Sequence, residues 1–293
     1  MKLAIFQESR VGGRSYNQDR YAIAHTREAV MLVVADGMGG HLRGEVAAQI
    51  TVDLICELFY QQATPILSHP NRFLVNAISS VHQVILEYAA DHRLPDVPST
   101  TVVVAILQED SLYWCHVGDS RLYLLDEQGL RVRSRDHSQV QRLIDQGLLT
   151  EEGAKTHPER NKIYNCLGAS SDPDIDIGER QQIGPGCSIL LCTDGLWSQV
   201  LDGEMEKVFA GRHVNQVLPA LINVAERRAG AGGDNLTAIG VTLLDEAAAS
   251  SERGDVLDTE VTPPHKGGRL ILESNLEIMH QEILASQVPA KNA

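Results

Sequence analysis

Val33-Val34-Ala35-Asp36-Gly37-Met38-Gly39-Gly40-His41 decides how the rest of the chain is read, because there an apolar run stops at one carboxylate and breaks into glycines. Residues 29–35 before it are too few to span a membrane and rich in β-branched side chains, so they read as a buried strand. Beyond it, Val46, Ile50, Leu54, Ile55, Leu58 and Phe59 recur at helical spacing within residues 45–62. Asp36 therefore sits at a strand end, on a turn whose glycines let backbone groups approach a ligand closely. Two readings of such an Asp are open: it caps a tight strand-to-helix turn, or it ligates a cation. The same device recurs, and that favours the cation.

Upstream, residues 2–8 read as a first strand. Asp19 opens a second, through Tyr21, Ile23 and His25, which turns near Arg27-Glu28 into the strand before Asp36. Such a hairpin sets Asp19 and Asp36 on opposite strands at one end of a sheet. Downstream, residues 71–92 carry a second helical stripe, stopped by Leu94-Pro95-Asp96-Val97-Pro98. Strands are expected over 100–107, 112–117 and 121–126, with Asp119 in the turn Gly118-Asp119-Ser120. Residues 136–177 are polar and helical only in patches, the pattern of a functional flap. A further strand over 188–193 ends on Asp194-Gly195, helices follow over 204–210 and 214–229, and Gly233-Asp234-Asn235 precedes a last strand over 236–243.

The chain has 293 residues, 43% hydrophobic and 22% charged, enough for a substantial core. Its formal net charge of −14 disfavours nucleic acid and anionic membrane as partners. Five cysteines without a C-x-x-C pair read as reduced core thiols. The first residues lack the apolar region and cleavage site of a signal peptide, so a cytoplasmic location is expected. The chain is divided into a catalytic domain (1–245), a flexible linker (246–269) and an amphipathic C-terminal helix or tail (270–293) that docks on its own domain or on a partner. Trp114 and Trp197 read as packing residues, and His137 and Arg135 as fixing a turn.

Five Asp residues (Asp19, Asp36, Asp119, Asp194, Asp234) thus lie beside glycine or a polar turn at strand boundaries. Carboxylates that converge repel one another unless cations neutralise them. An all-oxygen set favours Mg²⁺ or Mn²⁺ over Zn²⁺. Two such ions can lower the pKa of a shared water enough to supply hydroxide near neutral pH, and phosphate-ester hydrolysis is the natural use. Arg14, five residues before Asp19, can clamp phosphoryl oxygens.

Taken in order, Arg14-x-x-Asn17-x-Asp19, Asp36-Gly37-Met38-Gly39-Gly40-His41, Ser99-Thr100-Thr101, Val117-Gly118-Asp119-Ser120-Arg121, Arg135-Asp136-His137-Ser138, Cys192-Thr193-Asp194-Gly195 and Gly233-Asp234-Asn235-Leu236-Thr237 resemble the motifs of the metal-dependent type 2C Ser/Thr protein phosphatases in their compact bacterial form. They cover roughly residues 5–244. The resemblance implies an α+β fold, a β-sandwich of two antiparallel sheets flanked by helices. It further implies that Asp36 bridges two tightly bound Mn²⁺ or Mg²⁺ ions, that the Gly37 carbonyl binds one, and that Asp194 and Asp234 bind the other. Asp19 would hold metal-bound water, Asp119 a weaker third ion, and Arg14 the substrate phosphate. Arg14, Asp19 and Asp36 are then the catalytic set, acting on phospho-Ser and phospho-Thr proteins opposite a cognate Ser/Thr kinase. The chain departs from the pattern at Gln18, where many members have Glu, at Ser99, and at Met38, where animal members carry a His that serves as a candidate general acid; His41 stands nearby, and a water on the third ion is the other proton source. A small-molecule phosphatase and a catalytically weak, phosphatase-like regulatory protein are the alternative functions.

Overall fold

The computed structural model of the protein describes residues 2–39 and 43–245. Strand β3 (Ala29–Met38) is covered on both faces, which is why its sequence is an unbroken apolar run and not an alternation. Met31, Val33 and Ala35 face a layer of helices, while Leu32 and Val34 face a second sheet.

The sheet containing β3 is antiparallel. β2 (Asp19–His25) pairs with β3 on one side; β5 (Val102–Gln108) and then β6 (Ser111–Val117) follow on the other. Short strands complete it: β4 (Ser99–Thr100) extends the end of β3, and β9 (Asp176–Ile177) and β10 (Gln181–Gln182) line the outer edge of β6. The second sheet runs β1 (Leu3–Arg10), β12 (Leu236–Leu243), β11 (Ser188–Cys192), β7 (Arg121–Asp126), β8 (Gly129–Arg133), again antiparallel throughout. Between the sheets lies a core including Leu107, Leu122, Leu124, Leu191, Ile239 and Val241. Helices α1 (Gly44–Gln62) and α2 (Pro70–Asp91) cover the first sheet through Ile50, Ile55, Phe59, Ile78 and Ile85. On the second, α6 (Asp202–Phe209) and α7 (Val214–Ala229) pack Met205, Leu218 and Ile222 against Tyr123 and Leu190. The expected fold class, two antiparallel sheets between helix layers, is what the protein adopts.

Three pieces of the segment 136–177 have regular structure: α3 (Gln139–Asp145), α4 (Glu151–Ala154) and β9 at its end. Its return limb is tied beside β3, since Thr100 and Leu167 exchange both backbone hydrogen bonds (3.2 and 2.9 Å). A single helical turn, α5 (Asp194–Trp197), follows β11.

The end of β3 touches the start of α1 glycine to glycine. A Cβ on Gly37 would lie 2.3 Å from the backbone carbonyl of Gly44, and one on Gly44 would lie 2.5 Å from the Gly37 carbonyl carbon. Backbone atoms on both sides cannot yield, so Gly37→Ala is expected to cost about 1–3 kcal/mol by overpacking. Chemical denaturation of the metal-free protein checks it, with Gly184→Ala as control. A Cβ at Gly184 meets nothing within 4 Å, so that variant should stay within about 0.5 kcal/mol of the parent.

Candidate metal centre

The strand registers bring the five aspartates to one end of the sandwich. Asp19 stands directly opposite Asp36 across β2 and β3, as the hairpin reading requires. Asp36 is fixed by its backbone: its carbonyl accepts from the Thr101 N–H (2.9 Å) and the Thr100 hydroxyl (2.8 Å), and its N–H donates to Thr101 Oγ1 (3.1 Å). Gly37 follows it, paired with Thr100. In the second sheet Arg121, Cys192 and Ala238 lie in register across β7, β11 and β12, so Asp119, Asp194 and Asp234, just outside those strands, gather at the same end.

Electrostatics shows the convergence. Burial pushes the Asp36 carboxyl well above the usual carboxylate range, and Asp19, Asp194, Asp119 and Asp234 each push it further. Asp194 is raised in the same way by burial and then by Asp119, Asp234 and Asp19. Burial carries Asp19 up to about 6, against hydrogen bonds that favour its charge, and Asp119 up to about 7, with Asp136 adding to the rise and Arg121 opposing it. Two buried oxygens, Asp19 Oδ1 and Asp194 Oδ1, have no hydrogen-bond partner among the described residues. Orphaned buried carboxylate oxygens within a cluster of like charges are what a hard divalent cation satisfies, so the residues present fit Mg²⁺ or Mn²⁺.

Supporting residues hold these acids in place. The Thr193 hydroxyl donates to Asp19 Oδ2 (2.9 Å) and accepts from the Thr237 N–H (3.0 Å). Asn17 Oδ1 accepts from the Asp19 N–H (3.0 Å). Asn235 stitches the loop that carries Arg14, its amide donating to the carbonyls of Val11 (2.8 Å) and Tyr16 (3.0 Å) and its Oδ1 accepting from the Gln18 N–H (2.9 Å). Sequence reading quoted Asn17, Thr193 and Asn235 within motifs but gave them no role; a polar side chain flanking each motif Asp was the available signal. Arg14 lies at the rim, half-exposed, with Nη2 2.6 Å from Asp234 Oδ2. Gln18 turns toward α1, where its Nε2 donates to the buried Glu45 carboxylate at 3.3 Å. His41 and the stretch 246–293 fall outside the described residues.

A second group of potential ligands, His116, His137 and Asp176, sits under the flap base. Its hydrogen bonds point to a structural use. His137 Nδ1 accepts from the Gly118 N–H (3.2 Å) and the Asn165 amide (2.7 Å), which places its proton on Nε2; His116 Nε2 donates to the Arg135 carbonyl (2.8 Å). The two rings stack 4.6 Å apart, and burial lowers the His137 pKa to about 4. This neutral pair pins residues 135–137 to the Gly118-Asp119 turn, as the turn-fixing reading of His137 and Arg135 implied.

The protein is thus a four-layer sandwich with a cluster of buried carboxylates gathered at one end. Its family follows from comparison with known proteins: residues 7–239 match the model of protein phosphatase 2C, and the chain belongs to that family. The serine/threonine phosphatase stp of Listeria monocytogenes is 30% identical over 239 residues, covering 80% of this chain and 94% of the relative. The serine/threonine protein phosphatase PstP of Mycobacterium tuberculosis is 32% identical over 74% of this chain and 41% of its own length. Among solved structures, Staphylococcus aureus Stp1 superposes with a TM-score of 0.75 at 28% identity, covering 84% of this chain and 96% of that one. The catalytic domain of PstP, solved in complex with two manganese ions, gives 0.69 at 28% identity, covering 83% and 99%.

Proposed function

We propose that this chain hydrolyses phosphate monoesters on Ser and Thr side chains of proteins, in the presence of Mn²⁺ or Mg²⁺. The observation that supports this most is the gathering of five carboxylates, two with orphaned buried oxygens, beside one half-exposed arginine. When bound, the ions would supply an activated water and offset charge on the phosphoryl oxygens. Asp36, Asp194, Asp234 and the Gly37 carbonyl would hold the two tight ions, and Asp119 the weaker third. Asp19 is held by Thr193 through one oxygen, leaving the other for the site. Met38 offers no proton, which leaves the Asp119 side of the site and His41, outside the described residues, as the two sources for protonation of the leaving alkoxide. Catalytic function belongs to residues 1–245 in this reading, opposite a Ser/Thr kinase in cytoplasmic signalling, with the tail reserved for a partner. Assays with a phosphothreonine peptide, p-nitrophenyl phosphate and its bis ester test it: the two monoesters should be cleaved and the diester spared, and preferential cleavage of the diester would overturn the assignment.

Arg14 is the residue through which substrate phosphate is bound in this reading. Its guanidinium rests on Asp234, and Asp194 and Asp36 also stabilise its charge, so it can reach the space between the acids and solvent. Arg14→Ala is expected to raise KM for phosphopeptide about tenfold to a hundredfold, the worth of a charge-assisted hydrogen bond, with kcat little changed. Steady-state kinetics at saturating Mn²⁺ checks it; a fall in kcat at unaltered KM would give Arg14 a role confined to the transition state.

A further inference from the structure

The two tryptophans of the chain are used differently. Trp114 is 6% exposed in the core between the sheets, and its indole N–H has no hydrogen-bond partner among the described residues. Trp197 lies at the edge of the second core, only partly buried, and its Nε1–H donates to the backbone carbonyl of Asp119 at 2.9 Å. Its ring carries the Arg121 guanidinium at 3.6 Å from the centroid. Arg121 in turn makes a bidentate, buried pair with Asp136 (2.7 Å for each bond) at the first residue of the flap.

We propose that Trp197 is a positioning residue: its indole ties the Asp119 turn to the helical turn that begins with Asp194, and so sets the affinity of the cation held by Asp119. The proposal rests on the reading of Asp119 as a ligand of the weaker ion. Asp194 and Trp197 open and close the same four-residue turn, three residues apart, so both project from one side of it. The carbonyl of Asp119 is held by Trp197, while the hydroxyls of Ser120 and Thr101 meet at 2.7 Å and the Gly118 N–H and carbonyl are both taken by His137. Gly118 itself has φ +104°, and a Cβ there would lie 2.6 Å from the Thr101 methyl, so the turn has one shape available to it. With its backbone fixed from both flanks, Asp119 has only its carboxylate left to face the other acids, and it raises the pKa of both Asp36 and Asp194. Indole suits this place because it combines a broad face for a guanidinium with an N–H on the ring edge. Phenylalanine lacks the donor, and the tyrosine hydroxyl lies along the ring axis. Separately, the Arg121–Asp136 pair joins the same bracket to the base of the flap.

Calorimetric titration of the full, metal-free chain with MnCl2 tests the proposal in wild type, Trp197→Phe and Asp119→Ala. Asp119→Ala should keep the two tight ions and lose the weaker one. Trp197→Phe should also keep the two tight ions while weakening the third about tenfold, the loss of one partly buried hydrogen bond. Its kcat on phosphopeptide should fall at limiting Mn²⁺ and recover at high Mn²⁺, with KM unchanged. A Trp197→Phe protein that is less stable but binds the third ion like wild type overturns the proposal and leaves the Asp119 reading intact. A third ion that survives Asp119→Ala overturns both. Should Trp197→Phe fail to fold, Trp114→Phe leaves Trp197 as the sole indole: its emission should change over the weaker ion's concentration range, and constant emission there refutes the coupling.

Discussion

Asp194→Asn is expected to lower phosphopeptide turnover about a thousandfold or more, because it removes one ligand charge from ions that supply several kcal/mol of stabilisation to the transition state. The same substitution should stabilise the protein once metal is stripped with EDTA. In the metal-free chain the Asp194 carboxyl is pushed well above its ordinary range by burial and by three other acids, and an amide is the isostere of its protonated form. Melting temperature should therefore rise in EDTA, by about 2–4 °C for each kcal/mol of repulsion relieved. The upward shift produced by Mn²⁺ in wild type should be largely lost. Thermal scans with and without metal read both effects; a variant destabilised in EDTA would show that Asp194 serves packing and not a cation.

Stability of the metal-free protein should fall as pH rises from about 6.5 to 8, and saturating Mn²⁺ should reverse that slope. The sign follows from the raised pKa values. A carboxyl bound to its proton more tightly when folded contributes stability that is fully present below the ordinary carboxylate pKa and is lost as pH climbs through the folded value. For Asp119 that value is about 7, and Asp36 and Asp194 act in the same direction. Asp19, at about 6, has given up most of its share by the start of the window. The buried histidines His82, His116 and His137 have lowered pKa values, so they add stability as pH rises through their unfolded value of 6.5 and level off about one unit above it, a smaller opposing contribution in the lower half of the window. Metal binding needs the ionised carboxylates, so the stabilisation it brings grows with pH. Melting temperatures at pH 6.5, 7.2 and 8 in EDTA and in Mn²⁺ should diverge; parallel curves would mean that the acids are not coupled through a shared cation site.

Much of this was legible in the sequence because both the fold and the acids sit on strong local patterns. The apolar run ending at Asp36 and the hairpin from Asp19 set these two residues on opposite strands at one sheet end, and the structure pairs them directly. Strands β11 and β12 are wholly buried and stood out as apolar runs beside the turns that carry Asp194 and Asp234. Strand β8 escaped notice because Gly129–Arg133 is a half-buried edge strand whose alternate positions are arginine. β9 and β10 are two residues each and have no periodicity to detect. The helical turn Asp194–Trp197 is likewise too short to show a period. What sequence could not carry was the pairing of distant polar groups: Thr193 with Asp19, 174 residues away, and Trp197 with Asp119, 78 residues away. A tryptophan in an apolar context reads as packing until its N–H is seen on a carbonyl.

In the proposed reaction these acids hold cations which activate water for direct attack on a phosphate monoester. Dephosphorylation of a phosphothreonine peptide in ¹⁸O-labelled water, by protein stripped with EDTA and then reconstituted with Mn²⁺, measures it most directly. Phosphate carrying a single ¹⁸O, released only after reconstitution and with no phosphorylated enzyme trapped on quenching, is the predicted result. Release in EDTA, or a phosphoryl group caught on a side chain, would contradict it.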